Sequence, residues 1–201
     1  MQQQTRHPKR GANVYLAGIT AHNMAVLHAL ANESEEALAL FRQAAALKTK
    51  AFGEHHPEVG LSLDEVGIQL FAQEKWQEAM EAIGQSRRRT SRSSPRYVLV
   101  LNNLACVNLS MGNHMAALVS LQEACDLLKR EEPNLLDLLH VAITLGNLGY
   151  VQIQLKQYEE ARSVLEETLL LQQSIFENDG HRAIHDTRSN LEFTNVFHSL
   201  E

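Results

Sequence analysis

Large, small and bulky apolar positions return along the chain in a fixed order. The clearest marker is an alanine, behind an acidic or polar pair in Glu35-Glu36-Ala37, Gln77-Glu78-Ala79 and Glu159-Glu160-Ala161 and behind an apolar one in Met115-Ala116-Ala117; the alanines lie 42, 38 and 44 residues apart. Thirteen residues before each stands a larger apolar residue, Met24, Val66, Leu104 or Leu148, followed at once by a small one, Ala25, Gly67, Ala105 or Gly149. Four residues after each alanine comes a bulky residue, Phe41, Ile83, Leu121 or Leu165, and seven after it a small one, Ala44, Ser86, Ala124 or Thr168. Two antiparallel helices approach closely only where small side chains meet, with large ones a turn away filling the space beside them. The pattern therefore predicts an all-α chain of four helix pairs.

The turns inside the pairs fall at Ala31-Asn32-Glu33-Ser34, Gln73-Glu74-Lys75-Trp76, Met111-Gly112-Asn113-His114 and Leu155-Lys156-Gln157-Tyr158. Ser34 and Asn113 are expected N-caps and Gly112 a left-handed helix end. Between pairs, Gly53 can close a helix in a left-handed conformation and Pro57 open the next, so His55 and His56 read as linker structure. His56-Pro57, Ser94-Pro95 and His181 begin ten residues before Val66, Leu104 and Leu191 respectively. The expected units are 14–52, 56–92, 94–131 and 134–177, then a terminal helix at 181–199, behind a flexible segment 1–13.

With its large-small first helix and its alanine-bulky-small second helix, the chain resembles the tetratricopeptide repeat. Its longer unit, with the Gly-x-x-His-Pro linker and the Asn102-Asn103-Leu104-Ala105 run, is similar to the kinesin light chain subclass. The resemblance spans about residues 14–196 and implies a right-handed α-solenoid of antiparallel helix pairs. The chain departs from the pattern at the arginine-rich stretch 87–96, at the lengthened helix beginning with Pro133-Asn134, and at Glu192, where a small residue is expected. A terminal helix with a polar outer face suits a cap.

Composition agrees with a folded helical protein: 44% of residues are hydrophobic, 5% aromatic, and four are proline. The net charge of −6 argues against a nucleic-acid or anionic-membrane binder. Cys106 and Cys125 are too few for a disulfide framework, which points to a reducing compartment, the cytoplasm first and the nucleus second. The polar N-terminus lacks the core of a signal peptide, and no apolar run is expected to approach the length that spans a bilayer, so no membrane insertion is expected.

In a solenoid the first helices line the concave face. The position just before the large apolar residue is Asn23, Glu65, Asn103, Asn147 and Asn190, asparagine in four of five cases. An asparagine offers both a donor and an acceptor to the main chain of an extended peptide. In the resembling families asparagines at this place contact bound peptide. Asn102 lies beside the ladder; Cys106 and Tyr150 lie one turn on. No Lys or Arg occupies these positions, which weighs against a clamp for a terminal carboxylate, while Asp64 and Glu65 favour a basic or neutral ligand residue. The expected function is a protein-interaction scaffold that holds a protein or peptide ligand in this groove, alone or within a larger assembly.

The alternative places recognition on residues 87–96, through an acidic partner or phosphorylation of Thr90, Ser91 or Ser94, where arginines precede and Pro95 follows. Five arginines without interleaved aromatics give no specific nucleic-acid site. Catalysis is not expected. His181 and His185 are spaced for one helix face but lack a third ligand, and there is no phosphate-binding Gly-rich loop or GxSxG motif. No metal or cofactor is therefore expected. Trp76, Tyr158 and Cys125 read as packing residues.

Overall fold

A computed structural model describes residues 8–129, 134–176 and 180–198. Within them lie nine helices and no strand: α1 (Pro8–Leu30), α2 (Ser34–Phe52), α3 (Pro57–Ala72), α4 (Trp76–Arg89), α5 (Pro95–Ser110), α6 (His114–Leu128), α7 (Leu135–Gln154), α8 (Tyr158–Ile175) and α9 (Arg182–His198). Helix α1 starts at Pro8, ahead of the expected residue 14; proline suits a first turn, where its missing N–H has no helical partner. Residues 1–7 of the expected flexible segment, and residue 199 of the expected terminal helix, lie outside the described residues. The chain forms two compact units, residues 1–100 and 101–201, whose boundary falls within α5.

In the first unit α1 packs on α2, α2 on α3 and α3 on α4. In the second, α6 packs on α7, α7 on α8 and α8 on α9. The repeat register explains these contacts. Ala37, Ala79, Ala117 and Ala161 have no exposed surface, and Phe41, Ile83, Leu121 and Leu165 are buried behind them. Gly67 and Gly149 mark the closest crossings. A Cβ on Gly67 would lie 2.2 Å from Ile83 Cγ1, and one on Gly149 would lie 2.6 Å from Leu165 Cγ. In the second unit Ala105, Ala117, Leu118, Leu121, Leu145, Leu148 and Val151 form one core.

The four turns inside the pairs share one conformation. Asn32, Glu74, Gly112 and Lys156 have φ of 60°, 59°, 76° and 61°. At each turn the left-handed residue's N–H bonds three residues back and the following N–H five back, as in Glu74 to Phe71 and Lys75 to Leu70. This is the Schellman arrangement, which satisfies carbonyls left open at a helix end. The next residue is already the N-cap of the second helix, with ψ between 58° and 69° and no side-chain cap bond. Ser34 is therefore the first residue of α2 and not its cap, and Asn113 is an N-cap by position only. A residue leaving a Schellman turn lacks the extended backbone that brings a side chain over the helix end.

The linkers use histidine. His56 Nδ1 accepts from Glu58 N at 3.2 Å while its ring stacks on Phe52 at 4.3 Å. His181 Nδ1 accepts from Ala183 N at 3.2 Å, its ring 3.8 Å from Phe176. Gly53 has φ 91° and ψ 163°, a region open to glycine but more extended than the expected left-handed helix end. Helix α7 corrects another expectation: it is 20 residues long and the mean hydropathy of an 18-residue window in it reaches 1.2, long and apolar enough to cross a membrane. It is apolar because it is packed between α6 and α8 as a core helix, and its first turn is held by a capping box between Asn134 and Asp137.

Candidate functional site

Helices α5, α6 and α7 enclose a cleft of about 340 Å³ lined by Cys106, Leu109, Ser110, His114, Asn147, Tyr150 and Gln154. Cys106, Asn147 and Tyr150 are three positions that the repeat register places along the groove, and the fold brings them to one place. Asn147 Nδ2 donates to Asn102 Oδ1 at 2.9 Å, Asn102 Nδ2 donates to Thr144 Oγ1 at 2.9 Å, and Thr144 Oγ1 donates to the His140 carbonyl at 2.7 Å. This relay fixes the Asn147 amide. Asn102 is buried within it, while Tyr150 is 43% exposed at the mouth.

His114 and Gln154 are lining residues that sequence reasoning did not nominate. Gln154 carries a readable signal, since it lies one helical turn beyond Tyr150. His114 carries none, because only the tertiary fold turns the start of α6 toward α7. Its Nδ1 is buried without a hydrogen-bond partner. Burial also raises the Cys106 thiol above its usual range, so the cleft presents a neutral thiol.

The other register positions lie elsewhere. Asn103 is half-buried on α5, Asn190 is half-buried on α9, and Asn23 is exposed on α1. Glu65 is half-buried on α3; burial first, then the neighbouring Asp64, raise its pKa, against a smaller lowering by Arg96.

The arginine stretch is largely engaged. Arg87 Nε donates to Tyr97 Oη at 3.0 Å, and Arg89 donates to the Glu54 carbonyl at 2.6 Å and to the Gln85 carbonyl at 2.9 Å. The Arg89 guanidinium also pairs with the Glu54 carboxylate at 3.2 Å. These bonds join the end of α4 to Tyr97 in the first turn of α5 and to Glu54 in the linker between α2 and α3. Thr90 Oγ1 donates to the Ser86 carbonyl at 3.0 Å, Ser91 is exposed and hydrogen-bonded to Ser93, and Ser94 is half-buried. His181 caps α9 and His185 stands exposed beside Asp186. Among the described residues no group of three or more His, Cys, Asp or Glu side chains is placed to hold a metal.

Two family models described as tetratricopeptide repeat match residues 16–92 and 141–183. No curated protein matches the chain. Among solved structures, a Podosopora anserina protein described by its kinesin light chain nearly identical TPR-like repeats is 20% identical over 98% of this chain and 90% of its own, with a TM-score of 0.70. A point-substituted form of that protein is 19% identical over 90% of this chain and 86% of its own, with a TM-score of 0.71. BtubC (BKLC) from P. vanneervenii is 16% identical over 82% of this chain and 65% of its own, with a TM-score of 0.70. At these identities the likeness is one of fold, and the family matches fall in both compact units. The chain therefore belongs to the tetratricopeptide-repeat proteins, in a long-repeat form resembling the kinesin light chain repeat: an all-α solenoid of helix pairs that serves as a protein-interaction scaffold.

Proposed function

We propose that the protein holds an extended peptide segment of a partner against the face formed by α5 and α7, with Asn147 and Tyr150 as the principal contacts. The observation that carries this reading is the convergence of Cys106, Asn147 and Tyr150 on one cleft where His114 Nδ1 is buried without a hydrogen-bond partner. The cleft is near the lower end of the range for small-molecule sites and suits a single inserted side chain. Asn102 acts as the brace of Asn147. Asn103 and Asn190 continue the amide ladder; in the first unit Asn23 and Glu65 hold the same register positions, and Glu65 favours a basic or neutral side chain on a ligand bound there. Two free cysteines suit a reducing compartment, the cytoplasm before the nucleus.

The test is a library of random unstructured peptides selected on the wild-type protein and then titrated against Tyr150→Ala, a change at an exposed residue that leaves the core intact. Binding should weaken by about tenfold. Selected peptides that bind the variant as tightly as wild type would reject the cleft as the site.

A second reading places recognition at Arg88 and Ser91, which are exposed. Arg87 and Arg89 support it less, because their side chains already join the α4 end to Tyr97 of α5 and to Glu54. Acidic ligands held this way would dissociate with moderate salt and on Arg88→Ser, and would be indifferent to Tyr150→Ala.

A further inference from the structure

Helices α6, α7 and α8 leave between them a cavity of about 650 Å³ walled by Leu128, Leu138, Val141, Leu145, Leu170 and Leu171. The Cys125 thiol and the side chains of Lys129 and Glu167 complete the lining, and none of these residues lines the α5–α7 cleft.

The same register positions in the first unit are filled differently. Eleven residues after the marker alanine, α2 has Lys48 where α6 has Leu128; nine and ten after it, α4 has Arg88 and Arg89 where α8 has Leu170 and Leu171. Ten before the large apolar residue, His56 stands where α7 has Leu138. Lys48 is buried and paired with Glu58 at 3.0 Å, and the Arg89 side chain, only 8% exposed, reaches the Glu54 carboxylate at 3.2 Å. In the first unit long cationic side chains thus close over this place with their charges paired. Leucines at the same positions in the second unit are shorter and have no ionic partner to reach for, and the space between them stays open. Leu170 is left 70% exposed, apolar surface that an apolar occupant would remove from water.

The lining restricts what the occupant can be. It holds no amide, hydroxyl or imidazole, so an extended peptide would bury main-chain N–H and C=O groups with nothing to pair them. Lys129 is already paired with Asp126 at 2.7 Å, which leaves no cation for an anionic head group. Glu167 is exposed, and an ion pair made there in water contributes little. Burial first, and then Asp126, push the Cys125 thiol up to about 11, so it too is uncharged at neutral pH. The volume lies within the range of about 300–1,000 Å³ typical of small-molecule sites, which are mostly apolar and concave.

We propose that this cavity binds an uncharged, apolar small molecule, held by the leucines of α6, α7 and α8. The proposal rests on residues separate from the α5–α7 cleft, so its failure would leave the peptide-binding reading standing.

The test titrates the full chain with N-phenyl-1-naphthylamine, an uncharged apolar fluorophore, and with its anionic relative 1-anilinonaphthalene-8-sulfonate. Saturable binding of the uncharged probe is expected, about tenfold tighter than that of the sulfonate and weakened about tenfold by Leu171→Arg, which puts the first unit's side chain at the cavity. Bound probe should also slow the labelling of Cys125 by N-ethylmaleimide and leave that of Cys106 unchanged; this measurement on the parent chain decides the matter if Leu171→Arg does not fold. Absence of saturable binding would overturn the inference, as would undiminished binding by a folded Leu171→Arg variant or protection of Cys106 in place of Cys125. Equal or tighter binding of the sulfonate would overturn the uncharged class. Displacement of the probe by a leucine-rich amphipathic helical peptide that binds more tightly than the probe would assign the cavity to a protein helix instead.

Discussion

His22 illustrates how a repeat position acquires chemistry its counterparts lack. Its ring lies 5.2 Å from Phe41, edge on, with Nδ1 3.3 Å from Ser62 Oγ. Burial first, and then the cation of Lys48, lower its pKa from 6.5 to about 4, with Glu58 acting in the opposite direction. Lys48 itself is 1% exposed and pairs with Glu58 at 3.0 Å. A depressed pKa means that between pH 6.5 and about 4 the unfolded chain binds a proton that the folded chain refuses. The stability present above pH 6.5 is therefore lost progressively as pH falls through that window. Thermal melts across it should show a falling midpoint, and His22→Gln should flatten the slope; an unchanged slope in the variant would assign the effect to other groups. In the sequence His22 stands beside Asn23 of the amide ladder. Its environment was not, because Lys48 and Ser62 reach it from other helices.

Among the helices, glycine separates propensity from packing. Gly84 lies inside α4 with no heavy atom nearer to a prospective Cβ than Arg88 Nη1 at 3.9 Å, so Gly84→Ala should stabilise by about 0.5–1 kcal/mol through helix propensity alone. At Gly67 the same change drives a methyl to 2.2 Å from Ile83 Cγ1 and should destabilise by about 1–3 kcal/mol. Urea denaturation of both variants reads the two signs, and a shared sign would show that the α3–α4 crossing yields more than its geometry suggests. The sequence identified Gly67 as a crossing point by its register. It marked Gly112 as a left-handed residue but not Glu74 or Lys156, which adopt φ near 60° at a cost of roughly 1–2 kcal/mol each because both flanking helices close hydrogen bonds around them.

For the molecule as a whole, contacts in a solenoid are made between neighbours, so damage should stay local. Leu165 is fully buried in α8 against Gly149 of α7, and Leu165→Ala should cost about 2–5 kcal/mol in the second unit. Hydrogen exchange should accelerate across α7 to α9 and remain at wild-type rates in α1 to α3. Uniform acceleration would indicate one cooperative fold.

The helix pairs, their register and the family followed from the sequence alone, because close helix packing restricts residue size at fixed intervals and those intervals can be read along one dimension. Four small-large crossings repeated in phase leave little freedom for any other arrangement. The tertiary structure decided what depends on juxtaposition across elements. It turned His114 toward Asn147 and Tyr150, placed Asn102 inside a relay instead of on a surface, and engaged Arg87 with Tyr97 of α5 and Arg89 with Glu54. A side chain's periodicity shows which face of its helix it occupies. What meets that face depends on residues distant in the chain, and with it whether an asparagine there is a ligand contact or a brace.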